Sequence, residues 1–185
     1  LKDSITAIAS KQFDEIYKYE MIIDLKDSLG AGESTKSINT LKQDSRIEDH
    51  ILIKEQLMDI GKGNIEESAN IIVPEDIKRL KDFIILRDRK TGESLSIEDD
   101  GVILTEKMSE LLDAEIGDEI YIKDESDIKR TVKITGITEN YANHYVYISS
   151  NLYEEVFGED IEYKRILART LEVDKEFEDK LSRYL

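Results

Sequence analysis

Residues 100–158, DGVILTEKMSELLDAEIGDEIYIKDESDIKRTVKITGITENYANHYVYISSNLYEEVFG, contain in succession the signals of a strand, a helix, a hairpin, a further strand and a second helix. Residues 101–104 are a short apolar run that is typical of a buried strand, and Thr105 then offers a hydroxyl to cap a helix that begins at Glu106. The apolar stripe of this helix consists of Met108, Leu111 and Leu112, which recur at spacings of three and four. The stretch therefore predicts alternating strands and short helices.

A β-hairpin is predicted after a turn at Gly117. Apolar and polar residues alternate over residues 119–123, as expected of a half-buried strand, and the polar residues 124–127 reverse the chain. Residues 128–138 form the return strand, in which Gly136 marks a bulge or a close approach of two backbones. The inward residues of the two strands are Ile120, Ile122, Val132 and Ile134.

A short strand and a capped helix are predicted to follow. Residues 145–148 form the strand, and residues 149–151 (SSN) supply hydroxyl and amide groups for the start of the helix. Gly158 is suited to end it. The buried residues of this helix are Leu152, Val156 and Phe157.

The rest of the chain contributes further strands and helices. Strands are predicted at residues 19–25, 47–60, 69–73 and 163–173, and helices at residues 37–43 and after Pro74. Residues 47–60 fit both the alternation of a strand and the spacing of a helix, and we favour the strand. Pro74 suits the first turn of a helix, where its missing N–H is harmless. The buried side of that helix consists of Ile77, Leu80 and Phe83. Together these elements predict an α+β fold with mixed or antiparallel sheets and packed helices.

The order of these residues resembles the extracytoplasmic domain of FtsX-like ABC-transporter permeases, of the kind that includes the MacB-like periplasmic core domain. The matching elements are GVILTEKM at 101–108, IGD at 116–118, GI at 136–137, EN at 139–140, HYVYIS at 144–149, LYEE at 152–155 and FG at 157–158. Upstream, IIVPE at 71–75 and LRDRKTGESL at 86–95 resemble the large two-copy permeases of Gram-positive bacteria. The likeness covers residues 71–167 and is poor over residues 27–70. These are packing and turn motifs, so they indicate the domain and say little about its cargo.

The resemblance implies a two-lobed domain without catalytic residues of its own. Residues 1–185 would be a single extracytoplasmic fragment without its membrane spans, with lobes at 1–85 plus 159–185 and at 86–158. The intact permease would lie in the cell membrane and work with a cytosolic ABC ATPase, and it would export or handle a peptide, lipoprotein or cell-envelope substrate. One alternative is an extracellular module that senses a peptide or an antimicrobial. Another is an acidic hydrolase, which predicts a deep cleft with converging carboxylates of displaced pKa.

The composition narrows the choice of partners. The chain has 42 acidic and 26 basic residues and a net charge of -16. Such a surface repels phosphate backbones and anionic headgroups, which argues against nucleic acid and against docking flat on a membrane. The chain has no cysteine, which removes disulfides, thiolate zinc sites and cysteine nucleophiles.

The two ends of the chain bear on membrane attachment. No apolar run approaches the ~20 residues that span a bilayer, and no signal peptide is present. The chain begins at Leu1, and with the resemblance this predicts a fragment from between two membrane helices. Amphipathic helices are predicted near both ends, either as stalks that continue membrane helices or as ordinary surface helices. Their apolar residues are Ile5, Ile8, Phe13 and Ile16 at one end and Phe177, Leu181 and Leu185 at the other.

Motifs for catalysis and metal binding fail on spacing. Residues 30–37 (GAGESTKS) have the composition of a phosphate-binding loop, but Thr35 stands where a Walker loop needs glycine. His50 and His144 are the only histidines, which excludes three-histidine and HExxH zinc sites. The acidic residues 98–100 lack EF-hand spacing, and no GxSxG elbow is present. We therefore predict no catalytic, cofactor-binding or metal-binding residues.

One segment is predicted to contact a partner. Residues 140–147 (NYANHYVY) combine aromatic rings with amides, which are common in protein interfaces. The alternative is that these tyrosines pack within their own domain. The predicted contact residues are Tyr141, Asn143, His144, Tyr145 and Tyr147.

Overall fold

The computed structural model describes residues 15–32, 36–171 and 176. Over these residues the strands are β1 (Met21–Leu29), β2 (Ile47–Lys62), β3 (Ile65–Pro74), β4 (Val102–Thr105), β5 (Glu119–Lys123), β6 (Lys129–Thr138), β7 (Tyr145–Tyr147) and β8 (Tyr163–Thr170). The helices are α1 (Lys36–Gln43), α2 (Glu106–Leu112) and α3 (Ser150–Phe157). Of the apolar residues that define the two predicted terminal helices, only Ile16 falls within the described residues. In the described part of the chain, no helix is both long and apolar enough to cross a bilayer.

The strands form one mixed sheet in the order β1-β8-β2-β3-β7-β4-β6-β5, and β5 also pairs with β2. Six strands therefore form a closed ring, from β2 through β3, β7, β4, β6 and β5 back to β2. The pairs β3–β7 and β4–β6 are parallel, and the other pairs are antiparallel. The sheet confirms the α+β class with a mixed sheet.

The long strand β2 joins the ring to the outer strands. Residues 47–53 pair with β8, and residues 53–62 pair with β3. On the edge opposite β3, residues 59–61 pair with β5 and close the ring. The ring of Tyr121 occupies the space that a Cβ would need at Gly61. A side chain at this position would require the Tyr121 ring to move.

Alternating side chains divide the core into two clusters, on opposite faces of the central strands. In β2, Ile51 and Ile53 belong to the smaller cluster, and Leu52 belongs to the larger one. The larger cluster joins the sheet to all three helices. The smaller cluster is covered by residues 80–97 and by the leading segment, residues 15–20, and it supports the candidate site.

Most predicted elements of residues 100–158 are confirmed. β4 to β7, α2 and α3 lie where the sequence predicts them. In α3, the Ser149 hydroxyl accepts the N–H of Leu152 at 3.1 Å, and Gly158 ends the helix with a φ of +67°. Residues 47–60 are a strand, as we favoured. The ladder of β4 and β6 is irregular between Ile134 and Gly136, where the bulge was predicted.

The two predicted lobes are joined by main-chain hydrogen bonds. The pairs β3–β7 and β2–β5 each connect one lobe to the other. Both hydrophobic clusters also contain residues of both lobes. The lobe boundaries themselves stay a prediction.

Two local predictions are wrong. Residues after Pro74 form turns and a short 3-10 helix at Leu80–Asp82, not an α-helix. Pro74 ends β3, and the Asp76 carboxylate accepts the N–H groups of Lys78 and Arg79 at 2.9 and 3.3 Å, which closes a turn instead. The strand predicted at residues 19–25 is also misplaced, because β1 continues to Leu29.

Thr105 is the N-cap of α2, as predicted, but its hydroxyl makes no capping hydrogen bond. Its Oγ1 accepts the N–H of Tyr145 at 3.3 Å. The hydroxyl therefore ties β4 to the start of β7.

Candidate functional site

Four tyrosines line a small depression on the sheet face of the smaller cluster. Tyr145 and Tyr147 project from β7 on the same side because alternate residues of a strand share a face. Tyr17 and Tyr19 come from the leading segment. The ring centroids are 6.0 Å apart in the first pair and 5.6 Å apart in the second. We call this site, with a volume of about 60 Å³, the tyrosine depression.

Burial raises the pKa of two of the four phenols. Tyr147 is 1% exposed, and burial raises its pKa well above the usual value. Burial, with smaller effects of Tyr145 and Glu55, raises the pKa of Tyr19 to about 12. Tyr19 and Tyr147 therefore offer ring faces and hydroxyl hydrogen bonds at neutral pH, and they do not supply a phenolate nucleophile.

An ion-pair network borders the depression. Arg165 of β8 donates from Nε and Nη2 to Asp24 of β1 at 2.7 and 3.1 Å, and from Nη1 to Glu55 of β2 at 2.5 Å. Hydrogen bonding to Asp24 and the nearby Glu55 carboxylate raise the pKa of Arg165 above its usual value. The trio has a formal charge of -1 and joins three neighbouring strands.

Residues 140–144 form one edge of the site. Asn143 has a φ of +67°, and its Nδ2 donates to the Tyr145 hydroxyl at 3.3 Å. The His144 carbonyl accepts the N–H of Asn70 at 2.9 Å. The Nδ1 atom of His144 is buried and has no hydrogen-bond partner among the described residues.

Arg87 ties this edge to the leading segment. Its Nε donates to Glu139 at 2.6 Å, and its Nη2 donates to Glu15 at 2.6 Å. Hydrogen bonding to Glu15 and Glu139 raises the pKa of Arg87. Glu139 is only 3% exposed and also accepts the hydroxyl of Tyr141. A buried carboxylate needs hydrogen-bond partners, and Arg87 and Tyr141 supply them to Glu139. Through Arg87, the edge at residues 140–144 is therefore linked to Glu15.

The five predicted contact residues are divided by the structure. Tyr145 lines the depression, and the exposed Asn143 lies beside it and donates to its hydroxyl. His144 is half-buried and is not among the lining residues. Tyr141 is half-buried against Glu139. Tyr147 also lines the depression and is its buried base. That these residues contact a partner stays a prediction.

The sequence reasoning missed Tyr17, Tyr19, Glu55 and Arg165. Glu55 and Arg165 could have been found from the strand pattern. Glu55 is two residues from the buried Ile53, and Arg165 is two residues from the buried Leu167, so each charge shares a strand face with a core residue. A charge in phase with buried apolar residues indicates either an ion pair or a site.

Several candidate metal and catalytic residues have the wrong spacing in the sequence. Two of them that lie in the described part of the chain, Asp99 and His50, are hydrogen-bonded to neighbouring residues or half-buried. Among the described residues, no group of three histidine, cysteine or acidic side chains is arranged to hold a metal. Asp99 accepts hydrogen bonds from Ser149 and Asn151, which lower its pKa. His50 is half-buried in β2, and burial lowers its pKa. Residues 33–35 of the phosphate-loop candidate lie outside the described residues.

Known proteins resemble this chain in fold. Neither a protein-family model nor a curated protein matches the sequence. The fold is similar to the extracellular domain of the noncanonic ABC-type transporter YknZ from Gram-positive bacteria, with 14% identity and a TM-score of 0.54 over 88% of this chain and 86% of that one. It is also similar to the periplasmic region of MacB from Actinobacillus actinomycetemcomitans, with 14% identity and a TM-score of 0.56 over 94% of this chain and 85% of that one. The MacB-like arrangement expected from the sequence is thus confirmed as a fold.

Proposed function

We propose that this chain is the extracytoplasmic domain of a bacterial FtsX-like ABC permease and performs no catalysis itself. The observation that carries the proposal is its fold, which agrees over most of both chains with an extracellular domain of an ABC-type transporter. The domain lies on the outer side of the cell membrane and moves with the permease's membrane helices when a cytosolic ABC ATPase works. Its motion assists export or handling of a peptide, lipoprotein or cell-envelope substrate.

The ends of the folded body support this arrangement. The N–H of Glu20 donates to the carbonyl of Ala168 at 3.1 Å, and the N–H of Thr170 donates to the Glu20 carboxylate at 2.8 Å. Glu20 and Thr170, near the two ends of the described chain, therefore lie side by side. A domain inserted between two neighbouring membrane helices requires its ends to be close.

The length of β2 supports a role in transmitting motion. The strand begins beside the paired ends, where Ile47 pairs with Thr170, and runs without interruption to Lys62. At about 3.3 Å per residue, it extends roughly 50 Å. Tilting the base of such a rigid body by about 10° would displace the far end by about 9 Å.

Cysteine labelling tests the location. The chain has no cysteine of its own, and Glu125 is exposed in the turn between β5 and β6. In the natural full-length protein freed of other cysteines, Glu125→Cys should react with a membrane-impermeant maleimide on intact cells or spheroplasts. The matched control, Ile122→Cys, is fully buried and should react only after denaturation. Labelling of the Glu125 variant only after the cytoplasmic membrane is opened would contradict the proposal.

The coupling to ATP hydrolysis needs a separate measurement. A fluorophore at the same Glu125→Cys position, in the permease reconstituted with its ATPase, should change its distance to dye-labelled lipid headgroups when ATP is added. With an ATPase variant that cannot hydrolyse ATP, this distance should not change repeatedly between two values. An unchanged distance in both samples would contradict the proposed transmission of motion. It would not contradict the proposed extracytoplasmic location.

The tyrosine depression favours a second candidate, in which the domain captures an extracellular peptide without exporting it. Aromatic side chains with polar tips are common at binding hot spots. Titration with secreted peptides should then saturate. Tyr145→Phe, which keeps the packed ring and removes the hydroxyl, should weaken binding while the unfolding midpoint changes little. No saturable binding would remove this candidate.

A further inference from the structure

An open groove of about 440 Å³ lies between residues 77–86 and residues 94–98. It shares Ile84 with the tyrosine depression but is a separate concavity. Aliphatic side chains form most of its floor: Leu80, Ile84, Leu86, Leu95 and Ile97. Its volume falls within the range of about 300–1,000 Å³ that is common for ligand sites.

One wall of the groove is a short, unpaired extended segment. The segment leaves a hairpin whose last hydrogen bond runs from the N–H of Leu95 to the carbonyl of Leu86 at 2.8 Å. Beyond it, the side chains alternate, with Ile97 buried and Ser96 and Glu98 exposed. The main-chain N–H and C=O groups of residues 96–98 make no hydrogen bond with any described residue. Such an edge accepts another strand.

Two lysines stand on the opposite wall. Lys78 and Lys81 line the groove, are exposed, and form no ion pair with a described residue. The neighbouring arginines differ, since Arg79, Arg87 and Arg89 all form ion pairs. Glu98 on the facing wall also lines the groove, so its ionisable lining has a net charge of +1 in a chain with a net charge of -16. On their own side, the two lysines favour an acidic ligand residue.

We propose that this groove binds an extended peptide segment, which adds as a strand along residues 96–98. Its alternate apolar side chains fill the aliphatic floor, and an acidic residue lies beside Lys78 and Lys81. In strand addition, main-chain hydrogen bonds supply affinity and side-chain pockets supply specificity. A fatty-acyl chain would contact the aliphatic floor but could not form hydrogen bonds with the main chain of residues 96–98. A peptide could make both interactions, so we favour the peptide. The proposal does not depend on the permease role.

Synthetic peptides test the recognition. The isotope-labelled chain is titrated with Ac-TVSLTVDD-NH2, with the same peptide N-methylated at its leucine and following threonine, and with Ac-TVSLTVKK-NH2. The acidic peptide should shift the amide signals of Ser96 and Glu98 and slow their hydrogen exchange. N-methylation should weaken binding about tenfold, because main-chain hydrogen bonds are lost. The lysine peptide should bind about fivefold more weakly.

Variants of the chain test each wall. Lys78→Glu with Lys81→Glu should reverse the preference between the acidic and lysine peptides. Lys90→Glu is the matched control, since Lys90 is exposed, outside the groove and without an ion pair among the described residues. Ser96→Pro should remove binding because it removes an N–H, and Ser96→Ala should retain it.

Three outcomes would overturn the proposal. They are no change at residues 96–98 with the acidic peptide at millimolar concentration, equal binding of the N-methylated peptide, and saturable binding of decanoate in the groove with no peptide binding. If Ser96→Pro does not fold, the charge-reversal variant decides the result, because its substitutions are on exposed side chains.

Discussion

Gly61→Ala is expected to lower the free energy of unfolding by about 1–2 kcal/mol. Gly61 lies where β2 pairs with β5 to close the ring, and a Cβ there would overlap the Cζ atom and hydroxyl of Tyr121. The backbone at Gly61 is not in the left-handed region, so the cost comes from the overlap and not from φ.

The magnitude follows from what the Tyr121 ring loses when it swings aside. Its hydroxyl donates to Glu66 at 2.7 Å, and the Lys129 ammonium lies 4.3 Å from its centroid. An exposed cation–π contact contributes about 0.5–1 kcal/mol, and overpacking costs about 1–3 kcal/mol. Against this, alanine restricts the unfolded chain relative to glycine by about 0.5–1 kcal/mol. The cation–π loss and the glycine contribution are of equal size and cancel, which leaves the overpacking cost. Because the overlapping atoms are at the far end of a side chain that can swing aside, we take the lower part of that range, about 1–2 kcal/mol.

A double-mutant cycle isolates the overlap. In a Tyr121→Ala background, Gly61→Ala should be neutral or stabilising by up to about 1 kcal/mol, which gives a coupling of about 2 kcal/mol. Urea unfolding followed by far-UV circular dichroism measures it. Gly63→Ala is the control, because Gly63 has a φ of +58° and open space, so its cost should be the same in both backgrounds. A coupling below about 0.5 kcal/mol would refute the overlap as the reason for glycine.

Four further predictions concern stability. Gly101→Ala should cost about 1–3 kcal/mol in urea unfolding, because its Cβ would lie 2.5 Å from the main-chain oxygen of Lys133; an unchanged midpoint would contradict this. Ser149→Ala should cost about 1 kcal/mol and speed hydrogen exchange at Leu152, and unchanged exchange would count against the cap. Burial puts the folded pKa of His50 below the unfolded one, so the unfolded state binds more protons between the two values and stability falls as pH drops through about 6.5. His50→Gln should flatten that part of the curve between pH values of about 7.5 and 5, and an equal slope would exclude His50 as its source. Tyrosine fluorescence and circular dichroism should give one coincident transition, whereas two transitions would mean that the lobes unfold separately.

Local signals account for what the sequence predicted well. The helix over residues 150–157 is defined by Ser149 before it and Gly158 after it, and both act through neighbouring main-chain groups. The hairpin of β5 and β6 is equally local, because alternation over two adjacent strands sets which side chains are buried. Such patterns need no knowledge of the rest of the fold.

Long-range contacts account for the errors. The segment after Pro74 has apolar residues at helical spacing, yet it packs as turns because Leu80 and Phe83 cover the sheet face of the smaller cluster. The tyrosine depression could be predicted only in the part that Tyr145 and Tyr147 line. Tyr19 and Arg165 come from distant parts of the chain, and strand pairing alone brings them to one face.

The leading segment connects both candidate sites to the start of the folded body. Tyr17 pairs with Ile84, which lines the depression and the groove, and the N–H of Ile85 donates to the carbonyl of Ile16 at 2.8 Å. Arg87 joins the same segment to the edge of the depression. Under the proposed function, force from the membrane helices would enter at residues 15–20. Because these contacts are direct, a displacement there would change the packing beside Ile84 before it reached the far end of β2, so ligand binding at either site and motion of the leading segment should affect each other.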